Sequence, residues 1–227
     1  MNVLGIETAT SVCAAALVTE GRVAAESLLD AGRVHAERLM GQIVQVLGES
    51  GAGGLDGVAV SIGPGSFTGL RIGVSVAKGL VLARNIPLAA VPTLEALALH
   101  AAETDALAPG TRLLAALDAR RDEVYCQAFD VTPAGPVPAG EPRDTALGAL
   151  RGELGGAAWA VTGDAAAKIA EAFGSGSAIR PVSARARLCS AAAVARIGER
   201  LLAAGKAEDA AALEPRYIKE FCLTTRP

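Results

Sequence analysis

The sequence predicts an α/β protein built in two halves, and three observations predict it. Short apolar runs joined by tight turns open the chain. From residue 35, helical periodicity alternates with short buried runs. After the break Ala108-Pro109-Gly110 a similar pattern starts again. The 227 residues have room for a sizeable core in one domain or in two small ones.

Val3 to Ile6, Ser11 to Val18 and Arg22 to Ser27 read as three strands of an antiparallel meander, with Glu20-Gly21 as one of its turns. Ala36, Met40, Ile43 and Leu47 recur at helical spacing and mark a helix over His35 to Glu49, ended by the glycines at 51 to 54. Gly57 to Ile62 is a buried strand, Thr68 to Arg84 a long helix and Asn85 to Val91 a further strand. Thr93 to Ala102 is a helix with Thr93 as its N-cap. The order β-β-β-α-β-α-β-α makes the segments from Gly57 onward crossover units of a mostly parallel sheet. In the second half, Arg112 to Leu117 and Glu123 to Asp130 are strands around the hairpin 118–122. Val131 to Gly140, with three prolines, reads as a loop. Trp159 to Thr162 is a strand, and Asp164 to Ala172 and Cys189 to Ala204 are helices. The tail from Glu214 is extended. The second half reads as the shorter and poorer in strands.

Half of the residues are hydrophobic (51%) and 20% are charged, which excludes a disordered chain. A net charge of −3 gives no global attraction to nucleic acid or anionic membrane. The four cysteines, Cys13, Cys126, Cys189 and Cys222, are scattered with no C-x-x-C pair, so reduced thiols in a cytoplasmic protein are expected. The N-terminal MNVLGIETAT has no basic start, and Glu7 interrupts its apolar run, so neither a signal peptide nor a membrane span is expected.

The stretch SIGPGSFTGLRIG, Ser61 to Gly73, places a glycine-rich turn between a strand end and a helix start. Such a turn exposes backbone N–H groups at the positive end of a helix, where phosphate binds. Ser66 and Thr68 have hydroxyls to cap the helix or to bond a phosphate oxygen. The G-K-[ST] ending of a Walker loop and the dinucleotide G-x-G-x-x-G spacing are both missing. Two readings therefore stand: a phosphate cradle through Gly63, Gly65, Ser66 and Thr68, or a structural turn and partner surface. Glu7, Asp118 and Asp164 end or follow strands. They read either as carboxylates for a magnesium nucleotide between the halves or as groups that bond turns and cap a helix. The two histidines, His35 and His100, are unpaired in sequence, so no transition-metal site is expected; G-x-S-x-G and H-E-x-x-H are absent.

GIETAT, His35-Ala-Glu-Arg-Leu, SIGPGSFTGLRIGVSVAKGL, VPTLEALA, ALDARRDEVY and PRYIKE together resemble the TsaB (YeaZ-like) family. This is the non-catalytic, TsaD-related branch of the machinery that makes threonylcarbamoyladenosine in tRNA. The resemblance covers most of the chain, except residues 131–156. It implies a two-lobed actin-like fold of the sugar-kinase, ribonuclease H-like type, each lobe a mixed sheet with flanking helices. Residues 1–102 with about 187–227 would form the first lobe, and 103–186 the second, smaller one. It implies an accessory subunit, not an enzyme, that pairs with the catalytic paralogue TsaD and cooperates with the ATPase TsaE. The paralogue transfers a threonylcarbamoyl group to the adenosine next to the anticodon. No cofactor is implied for this chain itself; ATP or ADP would act at the level of the complex, and tRNA would be met only there. The paralogue's H-x-x-x-H metal motif falls here on His35 and Leu39, so metal ligation does not carry over. The family's strand-end Asp is Glu7 here, and Lys219 stands where its tail more often has Arg. On this reading Glu7 and the glycine-rich loop are relics of a nucleotide site. The alternatives are a small ATP-dependent phosphotransferase of the same fold and a glycoprotease; the missing metal pair and nucleophile weigh against the latter.

Helix geometry adds a docking surface. In the helix 68–84, Leu70, Val74, Ala77 and Val81 line one face, and Ile72, Val76, Leu80 and Ala83 nearly the opposite one. Gly69, Gly73 and Gly79 would admit another backbone. His35, Leu39 and Val46 on the preceding helix would complete a four-helix contact with the paralogue or, in its absence, with a second copy. The alternative is that both faces are covered within the chain.

Overall fold

The computed structural model describes residues 1–32, 34–51 and 53–218. Cys222, Lys219 and the rest of the terminal segment lie outside them. The chain forms two mixed sheets with helices on both faces of each.

The first sheet has the order β3-β2-β1-β4-β5: β1 (Asn2–Glu7), β2 (Val12–Thr19), β3 (Arg22–Asp30), β4 (Gly57–Ser61) and β5 (Leu88–Val91). β1 pairs antiparallel with β2 and parallel with β4. β1, β2, β4 and β5 read as nearly unbroken apolar runs because both of their faces are covered, while the edge strand β3 is mostly exposed. Leu4, Ile6, Cys13, Leu17, Val58 and Val60 pack against α1 (His35–Glu49) and α2 (Phe67–Arg84). The alternate residues Val3, Val12, Ala14, Ala16 and Ala59 face α6 (Ala191–Ala203). That face is lined by small side chains, which bring α6 close. A Cβ on Gly5 would overlap the Ala191 carbonyl, and one on Gly198 the side chain of Ala59. α6 therefore follows the second sheet in the chain yet packs on the first.

The second sheet has the order β11-β10-β6-β7-β8, with β9 also paired to β7. Its strands are β6 (Arg112–Asp118), β7 (Glu123–Thr132), β8 (Gly135–Pro138), β9 (Arg143–Ala146), β10 (Trp159–Thr162) and β11 (Ile179–Pro181). α4 (Leu147–Leu154) and α5 (Ala166–Phe173) cover one face. α3 (Thr93–Thr104) covers the other through Leu94, Leu97, Ala98 and Ala101, and turns Ala96 and Leu99 to α6. α3 and α6 thus lie between the sheets, which explains why α3 is apolar almost all round.

Several expectations need correction. Residues 131–140 are not a loop: β7 runs on to Thr132 and returns as β8. Two prolines in β8 are tolerated because it is an edge strand. With β8, β9 and β11, the second sheet has more strands than the first, not fewer. The N-cap of α3 is Pro92; the Thr93 hydroxyl instead accepts from Gly63 N at 3.1 Å. β5 starts three residues late because Asn85 caps α2 in the left-handed conformation. On α1 the core stripe is Leu39, Ile43 and Val46 with His35 and Gln42, while Ala36 and Met40 face solvent. Both stripes have helical spacing, and the polar pair decides between them. Gln42 Nε2 donates to Cys13 O (3.0 Å) and Ser27 O (3.2 Å), and His35 Nε2 lies 3.1 Å from Val12 O. Buried polar groups are tolerated where they are bonded.

Candidate functional site

β1 ends at Glu7, and the β1–β2 turn that follows lies directly against the glycine-rich loop. Ser66 caps α2, its Oγ accepting from Gly69 N at 3.3 Å, while its own N donates to Ala9 O at 2.6 Å. Gly63 N donates to Thr93 Oγ1, and Thr93 N donates to Gly63 O at 2.9 Å. Gly63 has φ +120°, which a side chain would strain, and precedes a cis Pro64. A Cβ on Gly65 would overlap Ala9 O, one on Gly69 Thr8 O, one on Gly73 the Thr8 hydroxyl, and one on Gly63 Arg216 O. The backbone admitted by these glycines belongs to the chain itself. Of the three helix glycines expected at a docking surface, Gly79 alone opens onto free space.

Glu7 is fully buried. Its Oε1 accepts from Ala9 N (2.6 Å) and Ser61 Oγ (3.1 Å), while Oε2 and the Thr8 hydroxyl have no partner. Burial pushes its carboxyl up to about 7, against the hydrogen bonds from Ala9 and Ser61 that favour the charged form. The same burial raises the Cys13 thiol to about 11 and Cys189 well above its ordinary value, with the Glu7 charge adding to both.

Part of this loop is already engaged by the chain itself. Phosphate needs free N–H groups and room beside them; the N–H groups of Gly63, Ser66 and Gly69 are taken, and residues 8, 9 and 216 lie where side chains on Gly63, Gly65, Gly69 and Gly73 would stand. Of the expected phosphate contacts, Thr68 alone is exposed among those with hydroxyls not spent on capping. The other two carboxylates bind backbone and lysine. Asp118 Oδ1 accepts from Arg120 N (3.1 Å) and Lys168 Nζ (2.8 Å), and Asp164 Oδ1 accepts from Asp118 N (2.8 Å). Asp164 does not cap α5, whose N-cap is Ala165. Among the described residues no group of three or more His, Cys, Asp or Glu is placed to hold a metal.

The segment after α6 straps the loop in place. Glu208 bridges to Leu88 at the sheet edge, Leu213 packs on the core, and Arg216 N donates to Ile62 O at 2.7 Å. The Tyr217 ring lies 5.1 Å from Phe67, the Arg71 guanidinium 4.0 Å above Phe67, and Arg71 Nε donates to Tyr217 Oη at 3.2 Å.

The outer side of α1 and α2 is different. Met40 is 47%, Val44 66% and Leu82 69% exposed, and Gly41, Gly48 and Gly79 present no side chain there. Ile72, Val76 and Leu80 are half-buried against the core, and Ala83 is exposed. His35, Leu39 and Val46, expected on this surface, are buried inside the lobe. Val44 and Leu82 were missed; their signal is an apolar residue off the core stripe of each helix. No helix among the described residues is long and apolar enough to cross a membrane.

A family model for TsaD, tRNA N6-adenosine threonylcarbamoyltransferase, matches residues 29–135. The tRNA threonylcarbamoyladenosine biosynthesis protein TsaB of Escherichia coli is 37% identical over 127 residues, 55% of this chain and 53% of that protein. TsaB of Bacillus subtilis is 35% identical over the same shares. The chain's match thus spans about half the length of these curated relatives. Over nearly the whole chain (95%, and 99% of the other), the fold superposes on YeaZ from Pseudomonas aeruginosa with a TM-score of 0.82 and 28% identity. Motifs, fold and relatives agree: part of the chain is similar in sequence to TsaB and TsaD proteins, and nearly the whole of it has the fold of YeaZ.

Proposed function

We propose that this chain is a non-catalytic scaffold subunit in the biosynthesis of threonylcarbamoyladenosine in tRNA. It pairs with the catalytic paralogue TsaD, cooperates with the ATPase TsaE, and pairs with itself when they are absent. It meets tRNA only in that complex, in the cytoplasm, and needs no cofactor of its own. The observation that carries the reading is the outer side of α1 and α2. On these two helices Met40, Val44 and Leu82 are exposed, and a Cβ at Gly41, Gly48 or Gly79 would meet nothing within 4 Å among the described residues. Exposed apolar patches of this kind are a feature of protein–protein contact sites, and small residues let two helix pairs approach closely. The TsaB relatives support the pathway, and the filled glycine-rich loop speaks against a phosphotransferase.

The test is reconstitution with one component left out at a time. Unmodified tRNA, TsaD, TsaE and a supply of threonylcarbamoyl-adenylate should give efficient modification only when this chain is added. The chain alone should give none. Modification by the pure chain, or full activity without it, would overturn the proposal.

A further inference from the structure

A second feature lies at the other end of the molecule's second sheet, away from Asp118 and Asp164. The N-terminal ends of β6, β10 and β11 border a groove of about 490 Å³. That is within the usual range for small-molecule sites. Trp159, half-buried, forms part of its wall, and the flanking positions 157, 158, 160 and 178 are all alanine, which keeps the groove open. Two arginines stand on it. The Arg112 guanidinium lies 5.7 Å from the centre of the Trp159 ring. Arg180 is held by Nη1, which donates to Ser177 O (2.8 Å) and Ile179 O (2.9 Å).

Neither arginine forms an ion pair among the described residues, and Asp130, the cross-strand neighbour of Arg112, is not bridged to it. The Trp159 ring is anchored by its own Nε1, which donates to Leu154 O at 3.4 Å. The groove thus combines an anchored aromatic ring with two guanidinium groups that form no ion pair among the described residues, Asp130 standing opposite Arg112 in the strand register. Guanidinium pairs well with phosphate oxygens, and an indole is a stacking surface for a base.

We propose that this groove binds a nucleotide unit, with its base on Trp159 and its phosphate between Arg112 and Arg180. The unit is either a free nucleotide or one nucleotide of an RNA strand; both present the same base and phosphate. This site is separate from the glycine-rich loop and does not depend on the scaffold role.

Trp159 is the only tryptophan of the chain, so its fluorescence reports the groove alone. The full chain is titrated with AMP, with adenosine, and with a short single-stranded oligoadenylate, exciting where the bases do not absorb. Saturable quenching by AMP marks a free nucleotide as occupant; saturation by the oligonucleotide alone marks an RNA strand. Either result supports the proposal. Adenosine, lacking the phosphate, should bind about tenfold more weakly than AMP if the arginines act as argued. The double variant Arg112→Ala/Arg180→Ala should lose about tenfold or more of the affinity with an unchanged far-UV spectrum; both side chains are exposed, so folding should survive. Trp159→Phe, followed by calorimetry, should keep most of the binding because an aromatic ring remains. The proposal is overturned if neither AMP nor the oligonucleotide quenches saturably, or if the folded double variant binds as tightly as the parent.

Discussion

Gly69 and Gly79 lie on the same face-rich helix, α2, and meet opposite surroundings. At the inner end, Gly65, Gly69 and Gly73 are pressed against the chain's own Ala9 and Thr8. Near the outer end, Gly79 faces open space beside exposed Leu82. The residue type is the same, and its function is set by what approaches it. A glycine-rich stretch that resembles a ligand loop is here pressed against the chain's own backbone, and the part of the helix open to solvent lies farther along. If that contrast is right, substitutions at the two ends should behave as different kinds of change.

The largest effect is expected for Gly69→Ala. The new methyl group would meet the Thr8 carbonyl, a backbone atom that cannot turn aside, so the loss should be about 3 kcal/mol in urea unfolding. A change under ~1 kcal/mol would mean that this contact is loose.

Next comes Glu7, one of whose buried oxygens has no partner. Below about pH 4.5 its carboxyl is protonated in both folded and unfolded chains, so it adds no pH dependence. Between about 4.5 and 7 the unfolded chain loses the proton while the folded chain keeps it, so stability falls as pH rises. Above about 7 the cost levels off at roughly 3 kcal/mol. Glu7→Gln keeps an acceptor for Ala9 N and should remove this slope in denaturation series across that range. An unchanged slope would show that the carboxyl is not the titrating group.

A smaller loss, about 1 kcal/mol, should follow Tyr217→Ala, which removes the ring from Phe67 and the hydroxyl from Arg71. Thermal unfolding with and without the substitution measures how firmly the strap holds the loop. The smallest effect belongs to Gly79→Ala. With nothing nearby to strike, it should raise stability by up to about 1 kcal/mol through helix propensity, and a loss would indicate a hidden contact.

Much of the first sheet was legible in the sequence because four of its strands are short apolar runs and its helices have clear periodicity. The second sheet was less so. β8 is masked by Pro136 and Pro138, tolerable only because the strand is an edge, and β9 and β11 are too short to show a period. The site was legible as a motif but not as a geometry. The motif SIGPGSFTGLRIG marks the loop, yet nothing in its letters says that Ala9, Thr8 and Arg216 fill it, since those contacts join residues far apart in the chain. On α1, two stripes satisfy the same spacing. The choice between Met40 and Leu39 is made by hydrogen bonds of Gln42 to Cys13 and Ser27, which hydrophobicity does not encode.

The proposed docking face is tested most directly by association. Val44→Glu and Leu82→Glu place charges on exposed side chains without touching the core, unlike changes at half-buried Val76 or Leu80. Each variant is mixed with purified TsaD and followed by sedimentation velocity, with circular dichroism as a check on folding. The account predicts that the parent chain forms the mixed pair and that each folded variant does so about 100-fold more weakly, since a buried, unpaired charge is costly. Folded variants that both pair with TsaD as tightly as the parent would contradict it.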